Sequence, residues 1–128
     1  MGPSETPPEE FKLQGRRILV VEDEVLIGMM LQDMLSDFGC EVVGPIIRLA
    51  PALEAAQQER VDLAILDVNL AGESVFPVAD ALQSRKVPII FSTGYGTSDL
   101  AGQYKQFPTL AKPYDVDELR RVLSSVVE

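Results

Sequence analysis

Six polar residues stand at or just after short apolar runs, and their types fit the handling of a phosphoryl group. Glu22 and Asp23 follow Ile18-Leu19-Val20-Val21, and Asp67 follows Leu63-Ala64-Ile65-Leu66 with Asn69 close behind. Thr93 follows Ile89-Ile90-Phe91-Ser92, and Lys112 follows a run ending at Ala111. Carboxylates crowded together repel one another unless a cation joins them. Magnesium suits that place, since it takes hard oxygen ligands and keeps several waters. A magnesium ion and a lysine flanking one aspartate could neutralise the equatorial oxygens of a phosphoryl group in flight. The chain has no histidine. That excludes Ser-His-Asp and Cys-His catalysis, most zinc enzymes and a phosphohistidine carrier. If phosphate is carried covalently, Asp67 is the natural carrier.

Taken singly, each residue has an ordinary explanation. An acidic run after a strand is often only helix N-terminal charge. A lone Asp after a strand is often a cap or turn residue, and Thr93-Gly94 or Lys112-Pro113 could be plain turn chemistry. What raises them above that is a common position, which depends on the elements that carry them.

The runs 18–21, 42–43, 63–66, 87–91 and 107–111 read as strands, the first and third buried on both faces. Between them lie helical patterns. The first spans 24–38, with Ile27, Met30, Leu31, Met34, Leu35 and Phe38 on one stripe and Gly39 as a stop. The others span 49–58, 75–82 and a last stretch after Asp115. Leu49, Leu53 and Ala56 face inward on the second, and Val75, Val78, Ala79 and Leu82 on the third. Asp115 is the expected N-cap of the last helix, with Glu118 three residues on and Val116, Leu119, Val122, Leu123 and Val126 facing inward. Gly-rich 94–102 supports only a weak helix. The second strand is expected to end at Gly44-Pro45.

Five strands alternating with five helices imply a doubly wound α/β fold with a five-stranded parallel sheet. With strand order 2-1-3-4-5, strands one, three, four and five are consecutive neighbours. Their C-terminal tips then present the acids, Asp67, Thr93 and Lys112 in one row.

The 128 residues suit one domain, taken as 15–128 after a disordered tail over 1–14. A single cysteine, Cys40, allows no internal disulfide, and no signal or membrane-spanning run is present, so the cytoplasm is the expected compartment. The net charge of −9 argues against nucleic-acid or anionic-membrane binding as the main activity. No nucleic-acid-binding output domain is visible after the last helix, so the chain is expected to be either a single-domain regulator acting through protein contacts or as a phosphate sink, or a part of something longer.

The chain resembles the receiver domains of two-component response regulators. The resemblance rests on Val20-Val21-Glu22-Asp23-Glu24, Leu66-Asp67-Val68-Asn69-Leu70, Ser92-Thr93-Gly94 and Lys112-Pro113-Tyr114. It implies the (βα)5 flavodoxin-like receiver fold, Mg2+ as cofactor, and a histidine kinase or phosphotransfer protein as phosphoryl donor. By the same resemblance Asp67 is the phosphoacceptor, Asp23 a direct magnesium ligand, and Glu22 the acid acting through water. Asn69 supplies a backbone carbonyl to the metal, Thr93 holds the transferred phosphoryl group, and Lys112, before a cis Pro113, is the cation.

Two positions depart from the family pattern. Ala71 stands where many receivers have proline, and Thr109 where Tyr or Phe usually couples to the phosphate-binding hydroxyl. Phe91-Ser92-Thr93-Gly94-Tyr95 instead resembles the Phe-Ala-Thr-Gly subgroup, which often partners kinases of the HWE or HisKA2 type. The signal is then expected to leave through Thr93 and the segment 94–102. Two alternatives carry different expectations. A phosphorylation-independent docking module of the same fold would show no magnesium response dependent on Asp23. An aspartyl-phosphate phosphatase would usually place a second Asp where this chain has Asn69, which is no general acid.

Overall fold

The computed structural model describes residues 13–70, 72–94 and 102–127. Its main sheet has five strands: β1 (Arg17–Val21), β2 (Glu41–Ile46), β3 (Leu63–Asp67), β4 (Ile89–Thr93) and β5 (Thr109–Ala111). All neighbours pair in parallel, in the expected order β2-β1-β3-β4-β5. Among the described residues the α-helices are α1 (Val25–Asp37), α2 (Leu49–Gln58), α3 (Phe76–Ser84) and α4 (Val116–Val126). A 3-10 turn spans Gly102–Gln106, and Asn69–Leu70 and Glu73–Ser74 form a small antiparallel hairpin. The weak helix expected over 94–102 falls mostly on 95–101, outside the described residues, as do Ala71 and 1–12 of the expected tail.

Successive strand side chains point to opposite faces, and the buried strands split two cores accordingly. Leu19, Val21, Ala64, Leu66 and Phe91 pack under α2 and α3 with Ala52, Ala56, Val78 and Leu82. Ile18, Val20, Leu63, Ile65 and Ile90 pack under α1 and α4 with Leu31, Leu35, Leu119 and Leu123. Both faces covered is the condition a parallel sheet needs. Asp115 caps α4 by accepting a hydrogen bond at Oδ2 from the Glu118 N–H at 3.3 Å.

Several expectations are corrected. Leu13, placed in the tail, is fully buried in the second core, and its carbonyl accepts from the Arg16 N–H and the Cys40 thiol. β2 does not stop at Gly44-Pro45 but runs through it to Ile46, with a shift in pairing between Leu19 and Val21. An edge strand tolerates proline. Gly44 has φ +113, and a Cβ there would stand 2.6 Å from the Val20 carbonyl oxygen, so only glycine fits. β4 lies two residues later than expected, because Pro88 has no N–H and the strand begins beyond it.

The expected inward stripe of α1 was too wide. Gly28, Leu31 and Leu35 are buried, whereas Met30 is 47% exposed. Pro45 lies so close to α1 that a Cβ on Gly28 would meet it at 3.1 Å, and Gly28-Leu31-Leu35 is the line that faces the sheet. Val116 of α4 is likewise 39% exposed; it precedes the turns at which Leu119 and Leu123 enter the core.

Candidate functional site

Each strand tip delivers one part of the site. β1 ends in Val21, and Glu22 is carried past it and buried. Its backbone N–H donates to the Ile46 carbonyl at 2.9 Å, a bond that exists because β2 continues past Gly44-Pro45. β3 ends on Asp67 itself, which pairs in register with Ser92 of β4. Val68 N–H then donates to the Ser92 carbonyl at 3.2 Å, fixing the two tips together. β4 ends on Thr93, 2% exposed, whose carbonyl accepts from the Lys112 N–H at 3.1 Å. A tight peptide path thus links Asp67, Thr93 and Lys112 across three neighbouring strands.

The side chains converge as the sheet order requires. Lys112 Nζ lies 3.1 Å from Asp67 Oδ2, 3.0 Å from Glu22 Oε1 and 3.5 Å from Glu24 Oε1. It donates hydrogen bonds to Glu22 Oε2 and Asp67 Oδ2, both at 3.1 Å. Glu22 Oε2 also accepts from the Glu24 N–H at 3.1 Å, and Asp67 Oδ1 from the Asn69 N–H at 3.3 Å. The Asn69 side chain turns away to accept from the Gly72 N–H at 3.0 Å.

These contacts set the charge states. Burial, a hydrogen bond with Asp23 and the Glu22 charge raise the Asp67 carboxyl to about 7, with Lys112 opposing. Lys112 is partly buried, which disfavours its charge, but its bonds and ion pairs with Glu22 and Asp67 win and hold it firmly protonated. Behind the site Tyr114 and Ser92 share a buried hydrogen bond at 2.6 Å, and burial pushes the Tyr114 phenol up to about 12.

Oxygens of Glu22, Asp23 and Asp67 all lie within 4.8 Å of one another. Glu22 Oε1 is buried and near the ammonium but receives no hydrogen bond. A set of hard, partly unsatisfied carboxylate oxygens around one point fits a small divalent cation. Beside it opens a cleft of about 680 Å³, lined by Asp23, Asp67, Asn69, Thr93, Gly94 and Lys112 among others. All six residues singled out from the sequence therefore border one site. Glu73, Ser74 and Phe76 also line the cleft and were not anticipated. Their only sequence signal is proximity to Asp67, since the hairpin that folds them back leaves no periodic mark.

The model of the response regulator receiver domain family matches residues 18–124. The transcriptional regulatory protein PdtaR of Mycobacterium tuberculosis is 32% identical over 108 residues, covering 81% of this chain and 53% of PdtaR. The chain thus spans about half the length of that relative. Among solved structures, SdrG of Sphingomonas melonis Fr1 is 39% identical with a TM-score of 0.77, covering 91% of this chain and 98% of SdrG. The receiver domain of the sensor histidine kinase PA1611 from Pseudomonas aeruginosa has magnesium coordinated in its active-site cleft. It is 26% identical with a TM-score of 0.75, covering 88% of this chain and 98% of that domain.

Proposed function

The chain belongs to the response regulator receiver domain family of two-component systems, and from that premise we propose that Asp67 accepts a phosphoryl group from a histidine kinase or phosphotransfer protein. The observation that carries this reading is Lys112 Nζ within 3.1 Å of both buried acids, Glu22 and Asp67, at the C-terminal edge of the sheet. An ammonium and a carboxylate cluster facing one open cleft make an anion-stabilising pocket around a nucleophile.

Glu22, Asp23, Asp67 and the Asn69 carbonyl would hold Mg2+, and the PA1611 domain coordinates magnesium in its active-site cleft. When bound, the ion supplies charge that favours ionised Asp67 and neutralises phosphoryl oxygens. The Asp67 carboxylate then attacks phosphorus in line. The donor's N–P bond breaks, its electron pair returns to the imidazole nitrogen, and an acyl phosphate forms on Asp67. Positioning and charge neutralisation do most of the work in such a transfer. Lys112 pairs with one phosphoryl oxygen, and the Thr93 hydroxyl binds another once it has arrived.

The chain acts in this reading as a switch on protein contacts, not as an enzyme with a separate substrate. The signal passes from Thr93 into 94–102, with kinases of the HWE or HisKA2 type as the donors proposed. Among the described residues no helix is long and apolar enough to cross a membrane, and a cytoplasmic site of action is proposed. Intact mass after incubation with magnesium and acetyl phosphate tests the assignment. The wild type gains one phosphoryl mass and Asp67→Asn gains none; equal gain by both overturns it.

A further inference from the structure

Lys112 is tethered on both sides of its own backbone. On one side its N–H donates to the Thr93 carbonyl at 3.1 Å. On the other, two residues along, the Tyr114 hydroxyl and Ser92 Oγ lie 2.6 Å apart. Both tethers end on β4, at adjacent residues, and Ser92 is the register partner of both Asp67 and Leu110. Ser92 is fully buried and Tyr114 is 7% exposed. Neither hydroxyl serves the core for its own sake. Alanine and phenylalanine would fill much the same space without the cost of burying a polar group, and each hydroxyl is tolerated here because the other satisfies it.

We propose that Ser92 and Tyr114 are positioning residues for phosphoryl transfer, their hydrogen bond clamping the Lys112-Pro113-Tyr114 turn to β4 so that the ammonium stays between Glu22 and Asp67. The proposal rests on the receiver reading of Asp67 and deepens it. Lys112 carries a long, flexible side chain, and its usefulness depends on where its backbone is held. Remove the hydroxyl bond and the turn keeps the Thr93 tether and the packing of the ring at 114 in the second core, but loses its polar link to β4. The ammonium then samples positions further from Asp67, and a displacement of about 1 Å at such a centre can cost up to about a hundredfold in rate. The acids themselves stand on β1 and β3 and keep their places, and an ammonium that retreats from Glu22 and Asp67 competes less with the cation, so cation binding is not weakened.

The double variant Ser92→Ala/Tyr114→Phe separates this role from a structural one. Removing one hydroxyl strands the other in the core, whereas removing both leaves an apolar pair that is nearly neutral for folding. In the full chain, with acetyl phosphate and magnesium chloride, the double variant is expected to melt near the wild type. Its maximal rate of phosphoryl uptake falls about tenfold, while the magnesium concentration for half-maximal uptake does not rise. A wild-type rate overturns the proposal, and so does a fall in rate together with a raised magnesium requirement, which marks general loosening. Should the double variant not fold, Ser92→Cys, which keeps a weak acceptor for the Tyr114 hydroxyl, is measured in the same way and judged by the same outcomes. Failure here leaves wild-type uptake intact and dependent on Asp67, so it is distinct from failure of the receiver reading.

Discussion

Lys112 Nζ stands 3.1 Å from Asp67 Oδ2, and the carboxylate it faces is 6% exposed. The same ammonium meets Glu22 Oε1 at 3.0 Å, so a single cation compensates two interior acids. Lys112→Met leaves both acids uncompensated. Breaking a buried pair from one side costs about 3–5 kcal/mol, and the open cleft beside this one reduces that to about 2 kcal/mol. Urea denaturation in a chelating buffer should show that loss, and millimolar magnesium chloride should restore a good part of it. Equal stability of variant and wild type without magnesium would remove Lys112 from the charge balance of the site.

Asp67 makes the metal-free protein sensitive to pH. Its carboxyl is raised from 3.8 to about 7, by burial first and then by Asp23 and Glu22. The folded state therefore holds that proton more tightly than the unfolded chain. The resulting stability is complete below about pH 4 and is lost as pH rises through about 7. Asp67→Asn does not titrate, so without magnesium it should gain on the wild type across that window, by on the order of 2 kcal/mol. The check is the difference in urea midpoint between the two proteins as pH is raised. A gap that stays constant or narrows contradicts the raised carboxyl.

Asp23 is the half-buried member of the acidic cluster, whose other two acids are buried, and it lines the open cleft. Asp23→Asn keeps the shape and removes the charge. Its magnesium affinity should fall by about tenfold or more, because ligand charge dominates binding of a hard cation. The chain has no tryptophan, so the measurement is calorimetric. Unchanged affinity would locate the cation elsewhere.

The site was legible because buried parallel strands announce their own ends. Ile65-Leu66 gives way to Asp67, and Val20-Val21 to Glu22-Asp23, at the one edge where the fold gathers ligands. Alternation of strands and helices gives a parallel sheet, and the order β2-β1-β3-β4-β5, a common arrangement at this size, is the one the structure has. What pattern could not give were relations between distant residues. Ser92 and Tyr114 bond across 22 positions, and periodicity contains no term for that. The stacking of Phe76 on Tyr104, with centroids 4.0 Å apart, is hidden for the same reason. Gly44-Pro45 looked like a stop because proline usually ends a ladder, yet on the edge strand β2 the pair is taken up in a bulge opposite Val20 and pairing resumes at Ile46. Met30 counted as core by spacing alone, whereas the line that faces the sheet is Gly28-Leu31-Leu35, with Gly28 set closely against Pro45.

Leu13 gives the boundary of the domain a test of its own. It stands with Phe11 in an otherwise polar stretch, which is why it read as tail, but it is 0% exposed beside Phe38, Cys40 and Val127 in the core under α1 and α4. Its carbonyl also takes the Arg16 N–H at 3.1 Å, closing the turn that leads into β1. Leu13→Ala keeps that backbone bond and removes only the packed side chain. Truncating a buried leucine costs about 2–5 kcal/mol, and a site at the rim of a core collapses partly, so about 2 kcal/mol is expected. The functional edge lies at the other end of the sheet, so phosphoryl uptake at a temperature well below the melt should not change. A loss below about 0.5 kcal/mol, the range of ordinary surface substitutions, would return Leu13 to the tail.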